Sequence, residues 1–287
     1  MINFAHITPT KFLPIFGSNR PFHLVLAHLV ETDEKYADFY LKESCNKDTT
    51  IILDNSAFEM YKQGRDMYPS DKLIEMGVRC GADYIVMSDY PGQPAQVTID
   101  AAIEMAPRFR DADFGTFFVP QSEIGDLDDL CYGFDWAANS ELVDYIGVSI
   151  LGVPNAYGVE KDNKLQRFLS RWKFMELLGD EKVLKRAKFN EKKIHFLGMV
   201  DGPNEILLLR KYLKYINTWD SSAAVWAGLN GIPFDSSPTG LIDGKYEKEV
   251  DFDYEIVDTN RLGLAMSNCR YIDNLIYQEW MKGWDEK

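Results

Sequence analysis

Short apolar runs that alternate with amphipathic stretches of helical period are the feature that most constrains the fold of this chain. The apolar runs, which predict strands, are His23–Val30, Thr50–Leu53, Tyr84–Met87, Thr116–Val119, Tyr145–Ile150, Ile194–Val200 and Tyr215–Trp219. The amphipathic stretches lie near 33–43, 70–80, 95–107, 126–138, 163–187 and 203–213. Apolar strands joined by helices are typical of parallel βα units with right-handed crossovers. The pattern therefore predicts an α/β fold, a (β/α)8 barrel of the TIM type.

Seven βα units are visible in the sequence, and the position of the eighth is the weakest part of this prediction. The segment 228–256 is rich in Gly, Pro and Asp, and within it Asp251–Ile256 is the candidate for the last strand. The tail Asn260–Trp284 has a helical pattern, so we expect one barrel domain over 1–287 with a C-terminal helical tail at about 258–287. An open doubly wound sheet is the alternative. Its nucleotide-binding versions are disfavoured because neither GxGxxG nor GxxxxGK[ST] follows the first predicted strand.

Composition excludes several classes of function. The 287 residues carry a formal net charge of −14, which argues against sequence-independent coating of nucleic acid, although a local basic groove is compatible with it. No apolar run reaches the roughly 18 residues of a membrane span, and the first residues lack a signal-peptide pattern. The four cysteines form no CxxC pair: Cys45, Cys80, Cys131 and Cys269. We therefore expect a cytoplasmic protein with reduced thiols, no membrane partner and no thiolate zinc cluster.

Two aspartates follow predicted strands and are the leading catalytic candidates. Asp54 comes directly after Thr50–Leu53, and Asp220 comes directly after Tyr215–Trp219. The carboxyl ends of barrel strands form the catalytic face, so two carboxylates there are suited to covalent and acid–base chemistry at a glycosidic carbon. The alternative is that each Asp caps the helix that follows its strand.

Further polar or glycine residues follow the intervening strands, which predicts one concave site. Asp89 and Gln121 are able to bind the hydrogen-bonding edge of a purine, because an ionised carboxylate accepts and an amide does both. Gly152 lets the backbone approach a flat ligand, since it has no Cβ. Met199 is a candidate to cover a base face, with core packing as the alternative.

A histidine within a strand and a run of basic residues are further features, and for both a purely structural role is considered. His195 lies within an apolar strand and is interpreted as a core histidine. A basic run is interpreted either as a solvated helix face or as a track for a phosphate backbone. Its members are Arg167, Arg171, Lys173, Lys182, Lys185, Arg186, Lys188, Lys192 and Lys193.

The ordered series of strand-end residues resembles the tRNA-guanine transglycosylase superfamily, whose members are (β/α)8 barrels. The family's Asp-Ser-Gly-Gly-Phe motif is matched by Asp54-Asn55-Ser56-Ala57-Phe58, with both glycines replaced. Its purine-binding Asp and Gln are matched by Asp89 and Gln121, and its nucleophilic Asp by Asp220. Two further segments are similar to its Gly-Gly-Leu and Met-Gly-Val-Gly-x-Pro stretches, namely Ser149-Ile150-Leu151-Gly152 and Leu197-Gly198-Met199-Val200-Asp201-Gly202-Pro203. The resemblance runs from about residue 50 to 230.

The departures from the family pattern imply a branch of it. The tRNA-acting members carry a CxCxxC-plus-His zinc site near the C-terminus, whereas Cys269 is the only cysteine after position 131 in this chain. The Pro-Thr-Arg segment after the nucleophile is replaced by Ser221–Trp226. These departures resemble the bacteriophage-type branch, which inserts 7-deazaguanine bases into DNA. The resemblance then implies no metal ligands and no metal or redox cofactor.

The resemblance implies a base-exchange glycosyltransferase, a pentosyltransferase that replaces guanine by a 7-deazaguanine derivative. Asp220 is expected to be the nucleophile and Asp54 the acid/base. The residues expected to bind the base are Asp89, Gln121, Gly152, Ser56, Phe58 and Met199. DNA is the expected polymer and a free 7-deazaguanine base the co-substrate. The alternatives are a transglycosylase acting on tRNA and a hydrolase that releases a deazapurine base from a nucleoside.

Overall fold

The computed structural model describes residues 1–234 and 249–285, and it is an α/β barrel of eight parallel strands. The strands are β1 Asn3–His6, β2 Phe22–Leu26, β3 Thr50–Asp54, β4 Tyr84–Val86, β5 Gly115–Phe118, β6 Tyr145–Ser149, β7 Lys193–Leu197 and β8 Thr218–Ser221. Their order around the sheet is β1-β8-β7-β6-β5-β4-β3-β2. The prediction of a (β/α)8 barrel is confirmed.

Helices lie between the strands and surround the barrel. They are α1 Leu13–Phe16, α2 Ala27–Thr32, α3 Glu34–Glu43, α4 Ala57–Gln63, α5 Ser70–Cys80, α6 Ala95–Asp111, α7 Leu127–Asn139, α8 Gly152–Ala156, α9 Lys164–Asp180, α10 Val183–Phe189, α11 Pro203–Leu208, α12 Ala223–Leu229 and α13 Thr259–Asp285. Short 3-10 helices span Thr10–Phe12 and Arg210–Tyr215. Over the described ranges, no helix has the length and apolar character needed to cross a membrane.

The strand that the sequence did not reveal is at the start of the chain. β1 pairs in parallel with β8, with Asn3 opposite Thr218 and His6 opposite Ser221. The weak candidate Asp251–Ile256 is wrong, because it forms turn and coil instead of a strand. The rest of the Gly-, Pro- and Asp-rich segment lies partly outside the described residues. A strand of four residues with polar ends is too short to give a readable period.

Several predicted strands have different ends in the structure. The apolar run His23–Val30 divides into the end of β2 and the first turns of α2, because periodicity alone does not distinguish a short strand from a buried helix. The run Tyr215–Trp219 begins in a 3-10 helix, and β8 continues through Asp220 to Ser221. Asp220 is therefore part of a strand, while Asp54 is the last residue of β3.

Two apolar layers hold the barrel together. Inside it, alternate strand residues pack into one cluster that includes Phe22, Ile52, Phe117 and Tyr145. A larger cluster fills the space between the outer faces of the strands and the helices. This interior is a packed core, as expected for an eight-stranded barrel. Any site must therefore lie at one end of the barrel.

The barrel is nearly closed, and its open seam is covered from outside. β1 and β2 lie side by side, but within the described chain no ladder hydrogen bonds join them. On the outer side of β1, His6 Nε2 lies 2.9 Å from Asp273 Oδ1 of α13. Arg20, which precedes β2, donates to the other oxygen of Asp273 over 2.8 Å. One carboxylate of the C-terminal helix thus joins the two sides of the seam.

Candidate active site

Asp220 lies at the carboxyl end of the barrel, where an imidazole nitrogen and a backbone N–H contact one of its oxygens. The residue is buried, with 7% exposure. His195 Nε2 lies 3.0 Å from Asp220 Oδ1, and the backbone N–H of Gly198 donates to the same oxygen over 3.1 Å. The helix-capping alternative does not hold for Asp220, because the Ser221 hydroxyl accepts from the Ala223 N–H at the start of α12.

His195 belongs to this site, although the sequence assigned it only to the core. It is fully buried inside the barrel, with its ring 5.7 Å from that of Phe22 and 5.4 Å from that of Phe117. It also contacts Asp220 directly. The β7–β8 register, which pairs His195 with Thr218, is what brings the imidazole beside Asp220 two residues further on. A polar residue at an inward position of a barrel strand was the available signal.

The Gly198 peptide is held in place by groups behind it. Gly198 has φ +67, a left-handed conformation that ends β7 and is accessible to glycine. Its carbonyl accepts from Trp219 Nε1 and from Arg171 Nη2, each at 2.8 Å. The Gly198 N–H that faces Asp220 belongs to the preceding peptide, whose Leu197 carbonyl accepts from Arg171 Nη1 over 2.8 Å. Bonds to both carbonyls therefore hold this N–H in place.

Arg171 and Glu205 form a buried ion pair that supports this edge of the site. Both side chains are fully buried, and Arg171 Nη2 and Nε donate to the two oxygens of Glu205 over 2.7 and 2.8 Å. Arg171 Nη1 donates to the carbonyls of Val148 and Leu197 at the ends of β6 and β7. For Arg171 both readings of the basic run are therefore wrong: it faces neither solvent nor a phosphate backbone.

Asp89, in the loop after β4, is held by two side-chain amides. Asn55 Nδ2 donates to Asp89 Oδ1 over 2.8 Å, and Gln121 Nε2 donates to Asp89 Oδ2 over 2.5 Å. All three side chains are buried. Each carboxylate oxygen has two acceptor positions, so one position on each oxygen remains after these bonds. Asp89 thus keeps acceptor capacity beyond its two amide partners.

Asn55 is a site residue that the sequence reading did not single out. Besides Asp89, its amide donates to the Met87 carbonyl over 2.7 Å, and its own oxygen accepts from the Ala57 N–H over 2.9 Å. Its amide therefore joins the ends of β3 and β4 and orients Asp89. The signal was the Asp-Asn pair at the end of a predicted strand.

Gly152 makes room for the Gln121 amide. A Cβ at Gly152 would lie 2.9 Å from Gln121 Oε1 and 3.2 Å from Ser149 Cβ. The Ser149 hydroxyl accepts from the Gly152 N–H over 3.0 Å. The predicted role of Gly152 was close approach of backbone to a ligand, and in the structure its missing side chain serves the neighbouring glutamine.

Asp54 faces the same group of carboxylates. Burial raises the pKa of Asp54 well above its usual range, and the nearby charges of Glu59 and Asp89 raise it further. The Asp220 charge contributes in the same direction. The Ser56 N–H donates to Asp54 Oδ2 over 3.0 Å, ahead of the first residue of α4. The structure thus brings together Asp54, Asp89 and Asp220, with Asp54 inclined to hold a proton.

Ser56 is placed by an unusual backbone conformation. Its φ of 56° is left-handed, which is uncommon for a residue with a Cβ. Its hydroxyl accepts from the His28 N–H over 3.2 Å and lies 2.9 Å from His28 Nδ1. Burial lowers the pKa of His28 to about 4, so this imidazole is neutral at physiological pH.

The remaining predicted base contacts are one exposed side chain, Phe58, and one buried side chain, Met199. Phe58 is 45% exposed on α4. Met199 is buried in the apolar layer between strands and helices, a placement that favours core packing. Phe252 packs on the interior cluster and stands edge-on to His28 at 6.0 Å. The Phe252 carbonyl accepts from the Thr10 N–H over 3.2 Å.

The site offers oxygen-rich groups but no metal cluster among residues 1–234 and 249–285. Within those ranges no three His, Cys, Asp or Glu side chains are placed to hold one ion. The cysteines in them are free.

The buried carboxyl of Asp89 gives a testable dependence of stability on pH. Burial raises its pKa from 3.8 to about 6, although the Asn55 and Gln121 amides oppose the shift. A raised pKa means that the folded state binds the proton more tightly than the unfolded state. The free energy of unfolding is then expected to fall as pH rises from about 4 to about 6. Urea unfolding at several pH values should show this slope, and Asp89→Asn should reduce it. An equal slope in that variant would contradict the assignment.

Comparison with known proteins supports the fold but assigns no function. No family model and no curated protein matches the chain. Among solved structures, an HpcH/HpaI aldolase from Desulfitobacterium hafniense DCB-2 has a TM-score of 0.51 at 9% identity, over 79% of this chain and 88% of that one. A mutant tryptophan synthase alpha-subunit from Pyrococcus furiosus has a TM-score of 0.47 at 13% identity, over 80% and 93%. At 9% identity the likeness to the aldolase shows the barrel fold alone.

Proposed function

We propose that this protein is a base-exchange glycosyltransferase that replaces guanine in a polynucleotide by a 7-deazaguanine derivative. The observation that carries the proposal is a set of three carboxylates with different surroundings at one end of the barrel. Asp89 is oriented by two amides, Asp220 is oriented by the His195 ring and the Gly198 N–H, and burial raises the pKa of Asp54. Carboxylates with distinct environments are what a binding group, a nucleophile and an acid/base require.

Asp89 supports recognition of guanine. With a pKa of about 6 it is ionised at neutral pH and only accepts hydrogen bonds. Its two remaining acceptor positions match the adjacent N1–H and N2–H donors of guanine, an edge that 7-deazaguanine shares. Adenine presents an acceptor at N1 and would be repelled there.

The other two carboxylates supply the chemistry of exchange. Asp220 attacks C1′ of the target nucleoside, and the bond from C1′ to the base nitrogen breaks with its electron pair passing to the base. Protonated Asp54 gives that nitrogen a proton. In the second half, Asp54 takes the proton of the incoming base as its nitrogen attacks C1′ and releases Asp220.

The backbone at Ser56 also fits the resemblance to guanine transglycosylases. Ser56 stands where the family motif has a glycine, and it retains the left-handed φ that a glycine adopts readily. The turn after β3 therefore keeps its conformation although the glycine is replaced.

A nucleoside hydrolase is the second candidate, and two observations favour it. The net charge of −14 opposes binding to a polyanion, and Arg171 of the basic run is buried in an ion pair. In this alternative the same carboxylates act with water as the acceptor.

Uptake of labelled guanine distinguishes these functions. The protein is incubated with labelled guanine and either DNA, tRNA or free nucleoside. Label in DNA alone is the expected result. Label in tRNA alone would assign the alternative polymer, and release of base from nucleoside without label uptake would assign a hydrolase. No reaction with any of the three would overturn the proposal.

Asp89→Asn is expected to weaken guanine binding by roughly 10- to 100-fold. The new amide places an N–H group opposite a donor edge, and each unpaired buried donor costs about 1–3 kcal/mol. Calorimetry with free guanine measures the effect, with Asp220→Asn as the matched control that keeps Asp89 intact. Unchanged affinity in Asp89→Asn would remove this residue from the binding site.

A further inference from the structure

We propose that Asp220 attacks through its Oδ2 oxygen, and that His195 is the positioning residue that selects this oxygen. The inference rests on the proposed base exchange and adds to it the atom that forms the glycosyl bond. It follows from the unequal hydrogen bonding of the two oxygens of one buried carboxylate.

The two oxygens of Asp220 have different partners. Oδ1 faces both His195 Nε2, at 3.0 Å, and the Gly198 N–H, at 3.1 Å. Over residues 1–234 and 249–285, no hydrogen bond reaches Oδ2. Two donors on Oδ1 fix the rotation of the carboxylate and stabilise negative charge on that oxygen. The lone pairs of Oδ2 stay available to form a bond.

The imidazole can act as this donor because its other nitrogen is also engaged. An ionised Asp220 only accepts, so Nε2 carries the proton and donates to Oδ1. Nδ1 is then an acceptor, and the Thr218 hydroxyl lies 2.8 Å from it and donates to it. His195 is fully buried between the Phe22 and Phe117 rings, so it has little freedom to turn. The tautomer and the ring orientation are therefore both set by the fold.

The covalent step balances with these roles. An Oδ2 lone pair forms the bond to C1′, the bond from C1′ to the base nitrogen breaks, and its electron pair takes a proton from Asp54. Oδ1 remains as the carbonyl oxygen of the ester, still hydrogen-bonded. When the incoming base attacks C1′, the Oδ2 bond breaks and its electron pair returns to Asp220, while Asp54 receives the proton of that base.

Variants of His195 test the positioning role by separating rate from binding. His195→Phe fills the space between the aromatic rings but removes the donor. It should lower the single-turnover rate of glycosyl-enzyme formation by about 10- to 100-fold, as expected for loss of a hydrogen bond to a charged group. The affinity for free guanine should stay within about 2-fold of the unaltered protein, because Asp89 is untouched. His195→Gln places an amide N–H near the position of Nε2 and should restore most of the rate.

Thr218→Val removes the hydroxyl at Nδ1, and with it a hydrogen bond to Tyr145, but leaves the imidazole beside Asp220, so it should give a smaller loss of rate. An unchanged rate in His195→Phe would overturn the inference. So would an equal loss of guanine affinity and rate in His195→Phe and His195→Gln, which is the pattern of a purely structural residue.

The tautomer of His195 gives a readout that needs no activity. In ¹⁵N-labelled protein, the spectrum of His195 is assigned by its loss in His195→Gln. A neutral ring with the proton on Nε2 is the expected result, and a ring with the proton on Nδ1 would overturn the inference. Absence of label uptake by the unaltered protein would instead count against the proposed function.

Discussion

Replacing Asp220 by Asn is expected to abolish base exchange and covalent trapping while guanine still binds. Asn keeps the size of the side chain, and its oxygen still accepts from His195 and from the Gly198 N–H. The amide is not a nucleophile, so the single-turnover rate should fall by at least about 1,000-fold. Trapping of a glycosyl-enzyme under denaturing conditions measures the covalent step, and calorimetry measures binding of the free base.

The matched control for this substitution is Asp126→Asn. Asp126 caps α7, where its Oδ1 accepts from the Asp129 N–H over 2.9 Å. Asn is an equally good helix cap, so stability and exchange should both stay at the level of the unaltered protein. Exchange by Asp220→Asn at the unaltered rate would show that the mechanism proposed here is wrong, even though the barrel fold stands.

Replacing Arg171 by Leu is expected to reduce the free energy of unfolding by about 3–5 kcal/mol, because it leaves a buried charge without its partner. The Glu205 carboxylate would lose two hydrogen bonds from the guanidinium. The carbonyls of Val148, Leu197 and Gly198 would lose their side-chain donor as well. Urea unfolding measures the change.

Two further variants show whether the pair itself is responsible. Arg171→Met combined with Glu205→Leu removes both charges and should recover part of the loss, since an apolar pair is often no less stable than a buried ion pair. Lys173→Met alters an exposed charge on the same helix and should stay within about 0.5 kcal/mol of the unaltered protein. A loss below about 1 kcal/mol in Arg171→Leu would contradict the structural role assigned to Arg171.

The sequence was sufficient to predict the barrel because the pattern that indicates it is local and is repeated in each βα unit. Each βα unit shows its own apolar run and its own amphipathic helix, so errors of a few residues at strand ends do not change the fold. β1 was missed because its four residues carry no period of their own, and it becomes a strand through pairing with β8. That pairing depends on residues far along the chain.

The site was predictable only in part, for a related reason. Strand-end positions identified Asp54, Asp89, Gln121 and Asp220 one at a time, since their place follows from local pattern. Their partners depend on which strands are neighbours. His195 meets Asp220 through the β7–β8 register, and no local pattern contains that information.

Arg171 shows how charge can mislead when helix faces are left out of the reasoning. Its neighbours three, four and seven residues on are Phe174, Met175 and Leu178, all buried on one face of α9. A heptad-like spacing places Arg171 on that face, whereas counting charges along 167–193 grouped it with exposed residues. If the helix face had been considered before the charge, Arg171 would have been predicted as a buried arginine that needs an acidic partner.

The seam between β1 and β2 has a consequence for how the protein is made. β1 is synthesised before the other strands of the barrel, yet its ladder partner is β8 and its outer contact is Asp273 of α13. β3 to β8 are able to pair in order as they are synthesised, each with the strand before it. Pairing of β1 must wait for β8 to emerge, and the contact across the seam must wait for α13. During translation the nascent chain therefore carries an unpaired β1 and an exposed β7 edge, the surfaces that a chaperone would bind.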